Sequence, residues 1–410
     1  MRIMLWAPAP WAMTGYGLPA KHLSLEFSKL GHDVAIFAFA GCNYGSVEWN
    51  GIKVFGNPVV NSHFMVQAYY EHFGADVAIQ EFDIWTVKEF IPTLPNYVRI
   101  ASHSPIDHFP ISPWIREAYA GCDGIVPLCD FAYSQLVEAG FTPYEPIPNG
   151  VDTSIFKPLD KASCRKEFGL PEDAFIFLTV AVNKGDRKNL PQQLMSYKRF
   201  LDITKANDVI YLMHTYPHLD KLNIEGFDLP IIWEQLGGEK RYLLFTSEGD
   251  YLHGLTEEGM AHLYNCADVL MNVSKGEGLS LPIIEAMACG VPAIATDFSS
   301  MPELVDGKGW LVPVVAYDCQ QLISAWFAMP SIEGTTEAML DAYRNESKRK
   351  AFSEKCAGEG KKYDWNILAQ RWIPMLEDII SKPPMERIEG IPNFEIKQPK
   401  LTKQGQHLER

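Results

Sequence analysis

The sequence lacks the long apolar runs and paired cysteines that mark membrane-spanning or disulfide-stabilised proteins. Its eight cysteines among 410 residues are scattered, with no CxxC spacing, and several lie in apolar segments such as 265–267 and 288–290. This pattern predicts reduced, buried thiols rather than a zinc site or a disulfide framework. No run is long enough to span a bilayer, and Pro8 and Pro10 break the apolar start of the chain. We therefore expect a cytoplasmic protein without a signal peptide or a transmembrane segment.

Positive charge is also scarce. The chain has 36 lysines and arginines against 51 aspartates and glutamates, a formal net charge of −15. Residues 1–150 alone carry 14 acidic and 7 basic side chains, so the average hides no basic half. A field of this sign repels nucleic acid and anionic lipid. Nucleic acid is therefore disfavoured as a partner.

What is present is an ordinary globular balance, with 47% hydrophobic and 21% charged residues. The length predicts more than one hydrophobic core. Residues 2–7 are an apolar run suited to a buried parallel strand, and a turn with two glycines follows at 14–17. Apolar residues then recur on one helical face until Gly31, and a second strand is expected at 33–40. Strand, glycine turn, helix and strand are the opening of a Rossmann-like domain.

The same alternation continues to the end of the globular region. Further elements of the first domain, residues 1–150, are expected as strands at 77–80, 97–102 and 124–127 and helices at 114–120 and 131–139. The proline-rich segment 144–152 predicts a linker. A second domain, residues 151–362, is expected to have strands at 174–182, 209–214, 242–246, 269–273 and 291–296 and helices at 192–203, 256–265 and 281–288. We predict an α/β fold of two doubly wound domains that face each other across a cleft.

The most informative segment is 276–290, where a strand leads through a glycine-bracketed loop into a helix. Ser280 is expected at the N-cap and Pro282 in the first turn. Such a helix start offers free N–H groups and the positive end of its dipole to an anion, and Gly278 lets the backbone approach a phosphate. Glu277 in the loop and Glu285 one turn inside the helix have carboxylates suited to binding sugar and ribose hydroxyls. From spacing alone, a surface loop with an acidic residue favoured by the dipole and one solvated helix glutamate explains the segment better.

This segment resembles the Glu-x7-Glu motif of the retaining glycosyltransferases of family 4, which have the GT-B fold. Residues 147–152 with 156–158 resemble the hinge of that family. Residues 297–305, followed by 309–312, resemble the segment after its donor helix. Several similar pieces in the same order make the resemblance specific.

The resemblance implies roles for individual residues. Glu277 is expected near the donor sugar and Glu285 at the ribose, while Gly278, Leu279 and Ser280 offer backbone N–H groups to the diphosphate. It also implies that a helix within 363–381 crosses back onto the first domain. Residues 382–410, rich in proline, lysine and glutamine, predict an extended tail.

A basic loop at 183–189 follows the strand 174–182 and can neutralise a diphosphate leaving group. Lys188 matches a lysine of the family, but Val182 and Asn183 stand where its arginine is usual. We expect Arg187 to supply the missing charge. For Lys184, a solvated turn is an equally good interpretation.

In the first domain, Gly15 and Gly17 match a glycine-rich loop that approaches the donor phosphates and the acceptor in the family. His103 resembles its cleft histidine, which contacts the transferred sugar or its phosphate, and Asp107 is a weaker candidate for a sugar or acceptor hydroxyl. A histidine after a strand is more often structural, and His108 is assigned to that class.

The implied reaction moves a sugar from a nucleoside diphosphate sugar to a hydroxyl acceptor with retention of configuration. It needs no metal ion or cofactor, and residues 208–210 and 248–250 do not form a convincing metal motif. Contacts to the donor base are sought at 246–250, beginning with Thr246. The acceptor class is open. Two alternatives stand beside this interpretation: an epimerase or phosphorylase on the same scaffold, and a protein that binds a nucleotide sugar without catalysis.

Overall fold

The computed structural model describes residues 1–58, 63–219, 224–320 and 323–387. These residues divide into two compact units. Unit 1 holds Met1–Gly150, a short piece that ends at Ala325, and the chain from Trp365 on. Unit 2 holds Val151–Gln320 and Trp326–Asp364. The division after Gly150 falls inside the proline-rich segment 144–152.

Unit 1 is built on a seven-stranded sheet in the order β3-β4-β2-β1-β5-β6-β7. Its strands are β1 (Arg2–Ala7), β2 (Asp33–Ala38), β3 (Ser46–Trp49), β4 (Ile52–Gly56), β5 (Val77–Gln80), β6 (Ile100–Ser102) and β7 (Gly124–Ile125). Its first helices are α1 (Gly17–Lys29), α2 (Val66–Phe73), α3 (Pro113–Ala120) and α4 (Asp130–Glu138), with 3-10 turns at Ile84–Val87 and Ile91–Thr93. Neighbouring strands are parallel except β3 and β4, which are antiparallel.

The burial of β1 explains why the first strand is recognisable in the sequence. Residues 3–7 are completely buried, because a central parallel strand is covered on both faces and reads as a continuous apolar run. In β3 the first three residues are exposed. That edge strand gives no apolar pattern, which is why the sequence did not predict it. The strand expected at 97–102 is shorter in the structure and begins only at Ile100.

Unit 2 is built on a second parallel sheet of six strands in the order β10-β9-β8-β11-β12-β13. Its strands are β8 (Phe175–Val180), β9 (Val209–His214), β10 (Leu243–Phe245), β11 (Val269–Asn272), β12 (Ala293–Thr296) and β13 (Trp310–Val312). The strands β14 (Val314–Gln320) and β15 (Ala325–Pro330) pair separately and were not predicted.

The helices of unit 2 cover its sheet. They are α5 (Lys161–Glu167), α6 (Leu190–Thr204), α7 (Leu229–Gln235), α8 (Glu248–His253), α9 (Glu257–Cys266), α10 (Leu281–Ala288), α11 (Met301–Val305), α12 (Ile332–Arg344) and α13 (Glu346–Glu359), with 3-10 turns at Lys240–Tyr242 and Gly360–Tyr363. In α6, Leu190, Leu194 and Leu201 lie in the core of this unit beside Phe177 of β8. This apolar face is what made the helix predictable.

The last helix, α14 (Trp365–Ser381), packs on unit 1. Leu368, Trp372, Leu376 and Ile379 recur at helical spacing, are at most 1% exposed and join the core around β1. A helix with such a continuous apolar face is stable only when that face is covered. The hydrophobic core of unit 1 is therefore completed from the C-terminal part of the chain.

The tail expected from residue 382 is anchored to the loops of unit 1 through Arg387, while residues 382–386 are exposed. The side chain of Arg387 is completely buried. Its guanidinium donates to the carbonyl oxygens of Pro95 at 2.6 Å and Val98 at 2.7 Å and pairs with Asp123 at 3.1 Å. A buried guanidinium needs such acceptors, and it finds them on the loops of unit 1. The rest of the expected tail, from residue 388, lies outside the described residues.

All eight cysteines are free thiols, and seven of them are buried. Cys319 is exposed, so the expectation of buried thiols fails at this one position. It lies on β14, whose residues are exposed or only partly buried. Within the described ranges, no helix is both long enough and apolar enough to cross a membrane.

Candidate functional site

The loop that joins β11 to α10 lies at the carboxyl edge of the unit 2 sheet. β11 is flanked by β8 and β12. The carboxyl ends of parallel strands meet at one edge, so the loops that follow β8, β11 and β12 come together there. This strand order brings the basic loop 183–189 beside the segment 276–290.

Ser280 occupies the N-cap position of α10, as expected, and Pro282 lies in the first turn. The side chain of Ser280 does not cap the helix, which differs from the expected capping role. It is 4% exposed, and its Oγ has no hydrogen-bond partner among the described residues. This hydroxyl therefore has hydrogen-bonding capacity that a group from outside the chain could use.

Glu277 is held by the two cations of the basic loop. Its Oε1 lies 2.6 Å from Lys188 Nζ, and its Oε2 lies 2.9 Å from Arg187 Nη1. The same Arg187 nitrogen donates to the carbonyl oxygen of Gly276 at 2.7 Å. The structure therefore brings together three residues that the sequence placed 89 and 90 positions apart.

The environment of Glu277 keeps its carboxylate ionised. Burial alone would raise its pKa, but the charges of Lys188 and Arg187 outweigh burial and lower the pKa from 4.5 to about 2. Its backbone is fixed as well, since its N–H donates to Ser299 Oγ and its carbonyl oxygen accepts from Ser300 Oγ, both at 2.9 Å. The loop after β12 thus braces the carboxylate from the other side.

Glu285, one turn inside α10, has the opposite electrostatic environment. Burial raises its pKa from 4.5 to about 7, the hydroxyl of Tyr264 opposes that rise, and the charge of Glu257 adds to it. Tyr264 donates to Glu285 Oε2 at 2.6 Å. The carboxyl therefore titrates near neutral pH. No pattern in the sequence points to its tyrosine partner on α9.

Some residues of the basic loop reach Glu277, whereas others hold the loop in place or lie in solvent. Arg187 reaches Glu277, and its expected role in place of the missing arginine stays a prediction. Asn183 is instead a brace, whose Nδ2 donates to the carbonyl oxygens of Phe227 and Tyr216 at 2.7 Å and 2.9 Å. Val182 is 56% exposed, and Lys184 pairs with Glu225 on the surface. The solvated interpretation of Lys184 fits this geometry.

Lys275 is a buried cation beside this site that sequence analysis missed. Its Nζ lies 2.6 Å from Asp186 Oδ2 and 3.0 Å from Asp318 Oδ2. The backbone N–H of Lys275 also donates to the carbonyl oxygen of Arg187 at 2.8 Å. Lys275 therefore ties the basic loop both to the segment before Glu277 and to β14.

Thr246 follows β10 and is 8% exposed. Its Oγ1 lies 2.9 Å from Nδ1 of His214, whose pKa is lowered to about 4 by burial. The Thr246 side chain is therefore engaged inside unit 2. Ser247 caps α8 by accepting from the N–H of Asp250 at 3.0 Å.

The glycine-rich loop of unit 1 gives different results for its two glycines. A Cβ on Gly17 would lie 2.0 Å from the carbonyl oxygen of Ala12, so this position requires glycine. A Cβ on Gly15 would meet nothing within 4 Å. The N–H of Gly17 donates to Thr14 Oγ1 at 3.0 Å, so that N–H is already used within the loop.

The ring of His103 lies inside unit 1, and its contact with a donor sugar or phosphate stays a prediction. It is 1% exposed, its Nδ1 contacts a carboxylate oxygen of Glu81, and its Nε2 lies 2.7 Å from the carbonyl oxygen of Ile147. Glu81 also accepts from Asn149 Nδ2 at 3.0 Å. Because β5 and β6 are neighbours, the buried Glu81 lies beside His103 and recruits it as a partner.

Asp107 is partly buried, and its Oδ1 lies 2.9 Å from His108 Nδ1. His108 thus has a structural partner, in line with its assignment. Among the described residues, no group of three or more His, Cys, Asp or Glu side chains is arranged to hold a metal ion.

Comparison with known proteins places these features in a family context. Residues 233–326 match the model of glycosyl transferases group 1. A D-inositol 3-phosphate glycosyltransferase of Mycobacteroides abscessus is 28% identical over 172 residues, which are 40% of this chain and 34% of that protein. The chain thus matches about a third of the length of this curated relative.

Two solved structures have the same fold over nearly the whole chain. A sucrose-phosphate synthase from Thermosynechococcus elongatus superposes with a TM-score of 0.72 at 15% identity, over 93% of this chain and 99% of that one. An Escherichia coli protein bound with UDP-2-fluoro glucose gives 0.66 at 12% identity, over 94% and 100%. In fold the chain is a GT-B protein, and over residues 233–326 it is related in sequence to the group 1 glycosyl transferases.

Proposed function

We propose that the chain is a retaining glycosyltransferase that moves a sugar from a nucleoside diphosphate sugar to a hydroxyl acceptor without a metal ion. The observation that carries the proposal is the start of α10. There the buried Ser280 hydroxyl has no partner among the described residues, and Glu277 lies nearby with two cations on its carboxylate. A helix start, an unpartnered hydroxyl and adjacent cations together suit a diphosphate.

In the proposed reaction the diphosphate binds to the N–H groups of Gly278, Leu279 and Ser280 and to the Ser280 hydroxyl. Glu277 accepts a hydrogen bond from a hydroxyl of the donor sugar, and its fixed position orients that sugar. Glu285 in its ionised form accepts from the ribose hydroxyls.

The chemical step breaks the bond between the anomeric carbon and the phosphate oxygen. Arg187 and Lys188 stabilise the negative charge that develops on the leaving diphosphate. The acceptor oxygen forms the new bond on the same face of the sugar, and its proton passes to the leaving phosphate oxygen. Roles for His103, Asp107, Gly15, Gly17 and Thr246 stay predictions.

Ser280→Ala tests the proposal through nucleotide binding. The substitution removes a hydroxyl that has no protein partner, so the melting temperature of the unliganded chain should not fall. The stabilisation by a nucleoside diphosphate sugar should decrease, because about 1 kcal/mol of hydrogen bonding is lost, roughly a fivefold weaker affinity. Thermal melting against a panel of nucleoside diphosphates and their sugars measures both quantities.

Ser331→Ala is the matched control. The Ser331 hydroxyl caps α12 by accepting from the N–H of Gly334 at 3.0 Å. Its removal should destabilise the unliganded chain by about 1 kcal/mol and leave nucleotide binding unchanged. A wild-type chain that no nucleoside diphosphate or its sugar stabilises would contradict the proposal. So would conversion of the donor sugar to its epimer without release of nucleoside diphosphate.

Product analysis and a chelator test the retention of configuration and the metal independence of the proposed reaction. Proton NMR of the product should show the anomeric configuration of the donor, and a chelator should leave the rate unchanged. An inverted product would overturn retention, and loss of the rate in chelator would overturn metal independence.

A further inference from the structure

Two loops at the carboxyl edge of the unit 1 sheet form one surface, which we call the neutral loop pair (residues 8–17 and 39–45). They follow β1 and β2, which are paired neighbours. Ligands of open α/β sheets bind outside the carboxyl ends of the strands. The indole Nε1 of Trp11 donates to the carbonyl oxygen of Gly41 at 2.9 Å and joins the two loops.

The neutral loop pair is held in place by its backbone. The N–H of Ala9 donates to the carbonyl oxygen of Ala40 at 2.9 Å. The N–H of Gly56 donates to the carbonyl oxygen of Gly45 at 2.8 Å. Gly41 has a φ of +83°, and a Cβ there would lie 3.1 Å from that of Ala9. The loops therefore present their side chains from a fixed backbone.

Large apolar side chains on this surface are left to solvent. Trp11 is 42% exposed, Met13 47% and Tyr44 76%. The Trp11 ring is anchored through its N–H, so it is ordered while part of it stays uncovered. An anchored and partly exposed indole at the ligand-binding edge of a sheet indicates a contact surface.

The neutral loop pair carries no charge, since residues 8–17 and 39–45 contain no Lys, Arg, Asp, Glu or His. The ring of His63 contacts Phe39 of this surface, and burial lowers its pKa to about 4, so that it is neutral at pH 7. The loops therefore offer no cation to a phosphate.

The start of α1 offers an anion little as well. The N–H of Gly17 donates to Thr14 Oγ1 at 3.0 Å, the N–H of Leu18 donates to the carbonyl oxygen of Thr14 at 3.1 Å, and Pro19 has no N–H. These groups would otherwise be the anion-binding donors of a helix start. A phosphorylated acceptor finds neither a cation nor these donors here.

We infer that the acceptor is an uncharged saccharide, bound on the neutral loop pair with a sugar ring against Trp11 and Tyr44. The C–H groups of a pyranose face carry slight positive charge and suit the negative face of an aromatic ring. The inference rests on the proposed function, because that function requires an acceptor. It distinguishes this chain from the relative whose name contains D-inositol 3-phosphate.

Saturation-transfer NMR on the full chain tests the inference without any donor. Maltotriose and mannobiose are the uncharged probes, and D-inositol 3-phosphate is the charged probe. We expect saturation transfer to at least one saccharide and none to the inositol phosphate. Trp11→Ala should reduce the saccharide signal at least fivefold, and Trp11→Phe, which keeps an aromatic ring, should reduce it less.

Trp326→Ala is the matched control, because Trp326 is 41% exposed and belongs to unit 2. It should leave the signal unchanged. Transfer to the inositol phosphate, the absence of transfer to both saccharides, or an equal signal in Trp11→Ala and wild type would overturn the inference. Turnover of a nucleotide sugar with a phosphorylated acceptor would overturn it and leave the proposed function intact. Saccharide binding without any nucleotide-sugar binding would overturn the proposed function and leave saccharide binding on the neutral loop pair intact.

Discussion

Glu277 and Glu285 lie only eight positions apart, yet their surroundings move their pKa values in opposite directions. Glu277, in the loop, has Lys188 and Arg187 on its two oxygens, and its pKa falls to about 2. Glu285, in the helix, has the neutral hydroxyl of Tyr264, and its pKa rises to about 7. Burial acts on both in the same direction.

Burial therefore raises the pKa of a carboxyl in this site unless charged partners outweigh it, as Lys188 and Arg187 do for Glu277. Two acidic side chains in one motif are thereby given different properties. The first is a permanent anion that organises cations, and the second gains or loses a proton near neutral pH. Three substitutions test this difference between the two carboxyls.

Glu277→Gln should have the largest effect, because it removes the anion that holds two cations. Donor turnover should fall at least ~100-fold, since Arg187 and Lys188 lose their fixed positions. The free energy of unfolding at pH 7 should fall by about 3 kcal/mol, the equivalent of the lowered pKa. Urea unfolding and a nucleoside diphosphate release assay measure the two effects.

The pH dependence identifies charge as the cause. A carboxyl with a lowered folded-state pKa stabilises the chain fully above its unfolded value of 4.5 and loses that contribution as the pH falls towards 2. The stability difference between wild type and Glu277→Gln should therefore shrink as the pH falls through this window. An equal difference at pH 7 and pH 3 would show that packing is responsible. Glu225→Gln, which removes only a surface pair with Lys184, should change stability by less than about 0.5 kcal/mol.

How far the sequence predicts this site depends on whether a feature is local in the chain. The elements β11 and α10 were predictable from an apolar run, a glycine loop and a proline in the first turn of the helix. The contact of Glu277 with Lys188 was not derivable from spacing. It depends on β8 lying between β9 and β11, a strand order that no local pattern reveals.

His103 and Lys275 show the same limit. The strand before His103 was predicted, but its buried partner Glu81 follows the neighbouring strand β5. Lys275 stands in the predicted loop, but its partner Asp318 belongs to β14, whose residues are mixed in exposure and give no strand pattern. Side-chain partners set by tertiary pairing are what the sequence could not supply.

Glu285→Gln should have an intermediate effect, seen best in the pH dependence of donor binding. The ribose hydroxyls need an ionised carboxylate, and a group with a pKa of about 7 is mostly protonated at pH 6 and mostly ionised at pH 8. Wild type should therefore bind a nucleoside diphosphate sugar about tenfold more tightly at pH 8 than at pH 6. Calorimetry with the sugar nucleotide is the measurement, because its phosphates do not titrate in this range. The variant should bind weakly at both values, and a wild-type affinity independent of pH would contradict this role.

Glu285→Gln should change the free energy of unfolding in the opposite direction to Glu277→Gln. A carboxyl with a raised folded-state pKa favours the folded chain below its unfolded value of 4.5, and this contribution is lost as the pH rises through about 7. Glu285→Gln should therefore be more stable than wild type at pH 8, by about 2 kcal/mol after allowance for partial exposure, and equal to it near pH 4. Glu258→Gln, at an exposed position on α9, should differ from wild type at neither pH.

Lys275→Met should have the smallest effect of the three and test how far the Glu277 environment depends on charges beyond its own contacts. Lys275 touches neither carboxyl of the motif, but it holds Asp186 and the backbone of Arg187. Its loss leaves two aspartates without their shared cation and loosens the basic loop. We expect the donor KM to rise about fivefold, equivalent to about 1 kcal/mol of binding, while kcat changes less. Lys275→Arg should restore part of the affinity.

Lys184→Met is the control. It breaks only an exposed ion pair on the same loop and should leave KM unchanged. Equal KM values for the two methionine variants would mean that the loop holds Arg187 without Lys275.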